Sequence, residues 1–278
     1  MKGKIIKNIS NDYTVLTNNN TYICKPCGKF RINKIKPLVG DIVEFNDKNN
    51  YILAIEKRKN ELIRPSIANI DIAVIVTSTK SPNFDSFLLD KTLTIISYNN
   101  IEPIIYFTKL DLLNEQEKKE INTYIKYYQK IGYKVCTTPK ELMKNIKHKT
   151  IVFTGQSGAG KSTLLNKIEP TLSLKTDEIS KALGRGKHTT RHTELYNIDN
   201  TYIADTPGFS KIDFHDMNEI DIRDNMKEMF DNLKDCKYKD CMHIDEDDCN
   251  IIKLVNTGKI LPSRYHNYKL FIKRWLYD

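Results

Sequence analysis

Gly155-Gln-Ser-Gly-Ala-Gly-Lys-Ser162 has the Gly-x4-Gly-Lys-Ser spacing with which a backbone wraps a phosphate chain. Its glycines let successive N–H groups turn towards the anion, and a helix opening at the lysine adds a favourable dipole. In that arrangement Lys161 reaches the β- and γ-phosphates and Ser162 ligates Mg²⁺. Asp205-Thr-Pro-Gly208 begins 43 residues after Ser162. There Asp205 can hold Mg²⁺ through water, and the Gly208 N–H can sense a γ-phosphate. Thr108-Lys-Leu-Asp111 adds a third element. A carboxylate at Asp111 can accept from both N1–H and the exocyclic amine of guanine, a donor pair that adenine lacks. A helix N-cap is the plainer role for the same residue. The chemistry indicated is binding of GTP with Mg²⁺.

A second group lies near the C-terminus. Cys236-x4-Cys241-x-His243-x5-Cys249 gathers three thiolates and an imidazole within 14 residues. That is a complete tetrahedral set for structural zinc, with no position left open for catalysis. Cys24-Lys-Pro-Cys27 has no second pair nearby and reads as two barrel residues.

These residues need elements to hold them. Residues 1–65 read as short strands divided by turns: Lys4–Ile9, Thr14–Leu16, Thr21–Cys24, Lys29–Ile32, Asp41–Phe45 and Tyr51–Ile55. A small barrel of the OB type suits that count and length. From Ile70 continuous apolar runs alternate with helical stretches, as in a mostly parallel α/β sheet. The strands are Ile70–Val76, Glu102–Phe107, Lys134–Thr137, Lys149–Thr154 and Thr201–Ala204, with helices near Phe87–Tyr98, Glu115–Tyr128 and from Lys161. The phosphate loop therefore follows a strand and opens a helix, the context it requires. Beyond Phe214 the chain is helix-rich and acidic, ending in a basic aromatic stretch, Arg264–Tyr277. Expected domains are 1–65, 66–215 and 216–278.

The motif order is unusual. Ordinary GTPases place the phosphate loop first and the base-reading Lys-x-Asp last, whereas here Lys109 and Asp111 come first. This is the order of a circular permutation, which open sheets accept where the original termini lie close together.

Composition narrows the setting. The 278 residues carry a net charge of +9, and residues 1–65 hold thirteen Lys and Arg against six Asp and Glu. A basic N-terminal quarter suits a polyanion such as nucleic acid, although a Lys-rich solvated surface gives the same count. No apolar run approaches the ~20 residues of a spanning helix, and no secretory signal is visible, so a cytoplasmic protein that does not enter membranes is expected.

Barrel, permuted GTPase and cysteine module in this order resemble the RsgA (YjeQ/YloQ) family of ribosome-dependent GTPases. The likeness is carried by Gly28-Lys-Phe-Arg31, Val39-Gly-Asp41, Gly184-Arg-Gly-Lys-His-Thr-Thr-Arg191, Arg264-Tyr265 and Tyr268. It implies a GTPase acting late in assembly of the small ribosomal subunit, stimulated by that subunit and touching its rRNA. Implied nucleotide contacts are Thr108, Lys109, Asp111, Gly155, Gln156, Ser157, Gly158, Ala159, Gly160, Lys161, Ser162 and Thr163. Zinc is implied on Cys236, Cys241, His243 and Cys249. The second Mg²⁺ ligand would be Thr189 or Thr190, with Thr190 preferred. Two departures matter. Thr108 stands where the family pattern has Asn, and Phe209 stands where Ras-like enzymes have a water-orienting Gln. Phe cannot orient water, so hydrolysis by the protein alone should be slow. His188 is the nearest replacement, with an RNA contact as its alternative role. Rival expectations are a non-catalytic RNA-binding scaffold stabilised by nucleotide, and a permuted GTPase serving the large subunit. A monomer is expected.

Overall fold

The computed structural model describes the chain except residues 19, 63–65, 169–193, 199, 206–212, 215–216 and 274–278, and of Asp205 only the backbone. It forms two compact units, residues 1–74 with 138–210 and residues 75–137 with 211–278.

The first unit opens with five strands, β1 (Lys2–Ile9), β2 (Asp12–Leu16), β3 (Thr21–Pro26), β4 (Ile42–Asn46) and β5 (Tyr51–Ile55). Their inward positions alternate, with Ile5, Tyr13, Val15, Cys24, Val43, Phe45 and Ile52 all buried. The hydrogen-bonded order β1-β2-β3-β5-β4 closes on itself through β1–β4 pairing. The result is the expected small barrel, built from five strands rather than the six candidates. Lys29–Ile32, expected as a strand, is instead part of a short helix, α1 (Gly28–Ile32). The reason is positional: α1 lies between β3 and β4 and buries a single side chain, Phe30, as a core plug rather than a ladder. Val39-Gly-Asp41 also has a packing cause. Gly40 has φ +94°, and a Cβ there would stand 2.0 Å from the Ala68 carbonyl oxygen. Asp41, fully buried, accepts a two-pronged hydrogen bond from Arg58 Nε and Nη2 at 2.7 and 2.8 Å.

A two-residue ribbon follows, β6 (Glu61–Leu62) with β7 (Ile67–Ala68). The same unit holds α4 (Pro139–Ile146), β11 (Thr150–Thr154), α5 (Lys161–Ile168), β12 (Glu194–Ile198) and β13 (Thr201–Asp205). Every residue of β11 is buried, and it runs parallel to β13 with Thr150 opposite Tyr202. Strand β12, which lacked a sequence signal, forms an antiparallel hairpin with β13 and pairs with barrel strand β1 at Lys7 and Glu194.

In the second unit β8 (Ile72–Ser78), which begins three residues before the boundary, is followed by β9 (Glu102–Thr108) and β10 (Lys134–Cys136), with β9 and β10 parallel. Helices α2 (Ser86–Tyr98) and α3 (Glu115–Lys130) contribute Leu89, Leu93, Ile121, Ile125 and Tyr128 to a core with Phe107. After them come α6 (Glu219–Asn225), α7 (Lys227–Asp231), α8 (Asn250–Asn256) and α9 (Pro262–Lys273). Their core includes Ile222, Met226, Met229, Ile251, Tyr268 and Phe271.

Candidate nucleotide and metal sites

The phosphate loop leaves the end of β11 and turns through three glycines of positive φ, Gly155 at 134°, Gly158 at 76° and Gly160 at 96°. An L side chain would strain at these angles, which explains why glycine occupies them. Ala159 is buried and its N–H donates to the Gln156 carbonyl at 3.2 Å, closing the turn. Lys161 opens α5 and folds back over the loop, donating to the Gly155 and Gln156 carbonyls at 2.6 and 2.8 Å. Partial burial lowers its pKa, and an anion beside it would reverse that shift. Ser162 and Thr163 occupy the first turn of the helix. Gly155 through Thr163 thus form one continuous anion-binding turn in the first unit.

In the second unit, Thr108 ends β9 and Asp111 lies in a single 3₁₀ turn, Leu110–Leu112. Between them Lys109 sits in the left-handed region at φ 62° and ψ 28°. The turn is braced from behind by β8 and the segment after it. Thr79 donates twice to the Thr108 carbonyl, from its N–H at 3.2 Å and its hydroxyl at 2.9 Å. Lys109 Nζ donates to the Ser81 carbonyl. Beyond the turn, Asn114 and Glu117 form a reciprocal capping box that starts α3, and Lys80 grips both Glu117 oxygens at 2.9 and 3.0 Å. Asp111 is exposed at the tip. It is not the N-cap of α3; Asn114 is.

The four predicted metal ligands converge. The donor atoms of Cys236, Cys241, His243 and Cys249 all lie within 4.8 Å of one another, and His243 turns Nδ1 to Cys236 and Cys249 at 3.6 and 3.4 Å. Tetrahedral zinc with thiolates at ~2.3 Å would set sulfurs about 3.8 Å apart, so the donor set fits that ion in chemistry and spacing. Burial lowers the His243 pKa, which favours the neutral, ligating imidazole, and pushes the Cys241 and Cys249 thiols up. Thiols so raised must shed protons as a cation enters.

Three residues fix the loop that carries these ligands. Burial pushes the Glu246 carboxyl up, yet backbone N–H groups of Met242, Ile244 and Asp245 outweigh it and hold the group below its ordinary value. Tyr268 donates to the Met242 carbonyl at 2.6 Å, and Tyr265 to the His243 carbonyl at 2.8 Å. Both tyrosines belong to α9, Tyr265 next to Arg264 and Tyr268 one turn on. Arg264 is 1% exposed and lies between two buried carboxylates, reaching Glu228 at 2.6 Å and Asp90 at 2.5 Å. Tyr127, Tyr128 and Asn267 complete their hydrogen bonding. The beginning of the basic aromatic stretch is therefore structural: Arg264 and Tyr268 are interior groups and cannot face RNA.

Predicted site residues His188, Thr189, Thr190 and Gly208, with Phe209, lie outside the described residues, as does the Asp205 side chain. Of the barrel-region aromatics, Phe30 and Phe45 are buried core residues, and Tyr22 packs on Phe45 at 5.0 Å between ring centres. Sequence reasoning missed Thr79, Glu246 and the Asp90–Arg264–Glu228 cluster. Thr79 stands 29 residues before Thr108, a separation with no motif to signal it. No described helix is long and apolar enough to cross a membrane.

Known proteins accord with this arrangement. Residues 55–215 match the family model "RsgA GTPase" and residues 2–52 match "RsgA N-terminal domain". A "Small ribosomal subunit biogenesis GTPase RsgA" of Bacillus velezensis is 47% identical over 98% of this chain and 96% of its own length. The Oceanobacillus iheyensis "Small ribosomal subunit biogenesis GTPase RsgA 2" is 45% identical at the same coverage. Among solved structures, YloQ, described as a circularly permuted GTPase, matches with a TM-score of 0.82 at 38% identity over 98% of this chain and 94% of that one. YjeQ from Thermotoga maritima gives 0.84 at 29% identity over 100% and 99%. The order of the Thr108–Asp111 turn before the Gly155–Ser162 loop is thus that of a permuted GTPase, and the chain belongs to the RsgA GTPase family.

Proposed function

We propose that this chain binds the small ribosomal subunit and its rRNA, acts late in that subunit's assembly, and hydrolyses GTP to GDP and phosphate under the subunit's stimulation. The observation that supports this reading is a continuous glycine-shaped turn, Gly155–Thr163, in a chain whose near-full-length relatives are named small ribosomal subunit biogenesis GTPases. In this reading Gly155 to Thr163 hold the phosphates, and Thr108, Lys109 and Asp111 hold guanine. Asp205 holds Mg²⁺ through water, and the Gly208 N–H senses the γ-phosphate. Mg²⁺ sits on Ser162 and Thr190, and zinc on Cys236, Cys241, His243 and Cys249. Lys161 offsets charge developing on the transferred phosphoryl group. Because Phe209 cannot orient water, turnover is slow until the subunit, or His188 once docked, supplies the missing group. Zinc would serve structure alone, since all four positions are taken. The protein works as a cytoplasmic monomer away from membranes.

The test is multiple-turnover hydrolysis of GTP, with ATP as control, with and without purified small and large subunits. Stimulation by small subunits alone supports the reading. Stimulation by large subunits alone overturns the choice of particle, and no turnover under any condition overturns the enzyme. Asp111→Asn replaces an acceptor by an amide that can donate to the 2-carbonyl of xanthine. It should therefore trade GTP for xanthosine triphosphate.

A further inference from the structure

We propose that Thr79, which belongs to no nucleotide motif, is a positioning residue that sets guanine affinity by holding the base-reading turn in its binding geometry. The inference rests on the reading of Asp111 as the guanine-binding carboxylate.

Thr108 replaces an asparagine whose longer side chain has two donors and an acceptor with which to brace a turn. The Thr108 hydroxyl reaches the Thr77 carbonyl only at 3.4 Å, the outer limit of a hydrogen bond. The peptide after Thr108 is also held by the segment just beyond β8. Thr79 is 6% exposed, and its N–H and hydroxyl together take both lone pairs of the Thr108 carbonyl oxygen. That carbonyl belongs to the peptide joining Thr108 to Lys109, so its direction is fixed. The fixed plane matters because Lys109 occupies the left-handed region, which a residue with a side chain adopts only where its surroundings enforce it. The backbone direction at Lys109 in turn places Asp111 two residues on. Lys109 Nζ on the Ser81 carbonyl and Lys80 on Glu117 hold the two flanks of the turn to the same segment. Thr79 is the member of that segment whose two donors converge on one atom.

The experiment measures GDP and inosine diphosphate affinities by calorimetry for the full chain and for Thr79→Val and Thr79→Ser. Valine keeps the branched shape and the backbone N–H and removes the hydroxyl; serine keeps the hydroxyl. Inosine lacks the exocyclic amine, so the ratio of the two affinities reports Asp111's placement. Thr79→Val should weaken GDP by about three- to tenfold, the worth of one hydrogen bond, weaken inosine diphosphate by less, and leave turnover at saturating GTP unchanged. Thr79→Ser should restore the wild-type ratio. Unchanged GDP binding in Thr79→Val, or an equal loss for both nucleotides, overturns the proposal. A wild-type protein that does not distinguish the two nucleotides overturns the base-site reading and this proposal with it. If Thr79→Val does not fold, a Thr79→Ser ratio different from wild type overturns it.

Discussion

The metal loop and the phosphate loop are built on opposite plans. In the metal loop, side chains do the holding: four donors meet inside a 4.8 Å cluster, and Glu246, Tyr265 and Tyr268 tie the intervening backbone in place. In the phosphate loop the backbone is the binding group, shaped by three glycines, and Lys161 is its principal charged side chain. The difference predicts how damage spreads. A lost ligand should loosen everything its anchors touch, including α9, while a lost phosphate-loop side chain should impair binding and leave the fold.

The largest effect is expected at the cysteines. Ligation by such a set contributes on the order of 10 kcal/mol to folding, so Cys249→Ser should abolish stoichiometric zinc and melt the region around residues 213–273. Metal analysis and hydrogen exchange would show it; a stable, well-ordered Cys249→Ser protein would break the comparison. Next comes Arg264→Ala, which leaves two buried carboxylates facing one another and should cost about 3–5 kcal/mol in urea denaturation. Tyr268→Phe removes one hydrogen bond to the metal loop and should cost about 1 kcal/mol, with faster zinc release to a chelator. On the other side of the comparison, Lys161→Ala should abolish tight GTP binding yet shift stability by no more than about 0.5 kcal/mol.

A further test lies in the first unit, where Lys4 Nζ donates to Thr150 and stacks 4.2 Å from the Tyr202 ring centre. Burial lowers its pKa to about 8, below the value of 10.5 that the unfolded chain would show. The folded state therefore binds that proton less tightly, and its penalty is fully present below pH 8. Stability should rise between pH 8 and 10.5, where the folded state has shed the proton and the unfolded chain still holds it, and level off above. Lys4→Met should flatten that rise, as thermal unfolding across this range would show.

Much of this was legible in the residues. Glycine spacing identifies a backbone-built site because those positions demand positive φ, and cysteine spacing identifies a side-chain-built one because ligand types are few. Apolar runs located β8, β9 and β11 because strands buried on both faces have no polar alternation to confuse the reading. What failed was decided by partners distant in sequence. Lys29–Ile32 alternates in the manner of a strand, yet it forms a helix that buries Phe30 alone. Arg264 reads as a surface cation until Asp90, 174 residues earlier, and Glu228 enclose it. Thr79 carries no signal because its role is a contact with a carbonyl, which every residue has.

The capping box that starts α3 has a consequence for the speed of recognition. Asn114 and Glu117 need only each other's backbone to begin that helix, and the turn bearing Asp111 ends at Leu112, two residues before the Asn114 cap. The turn proposed to meet guanine is therefore set before any ligand arrives, and little conformational entropy remains to be surrendered on contact. For guanine nucleotides this favours association near the rate of productive collision, with differences among variants of the turn appearing chiefly as faster departure.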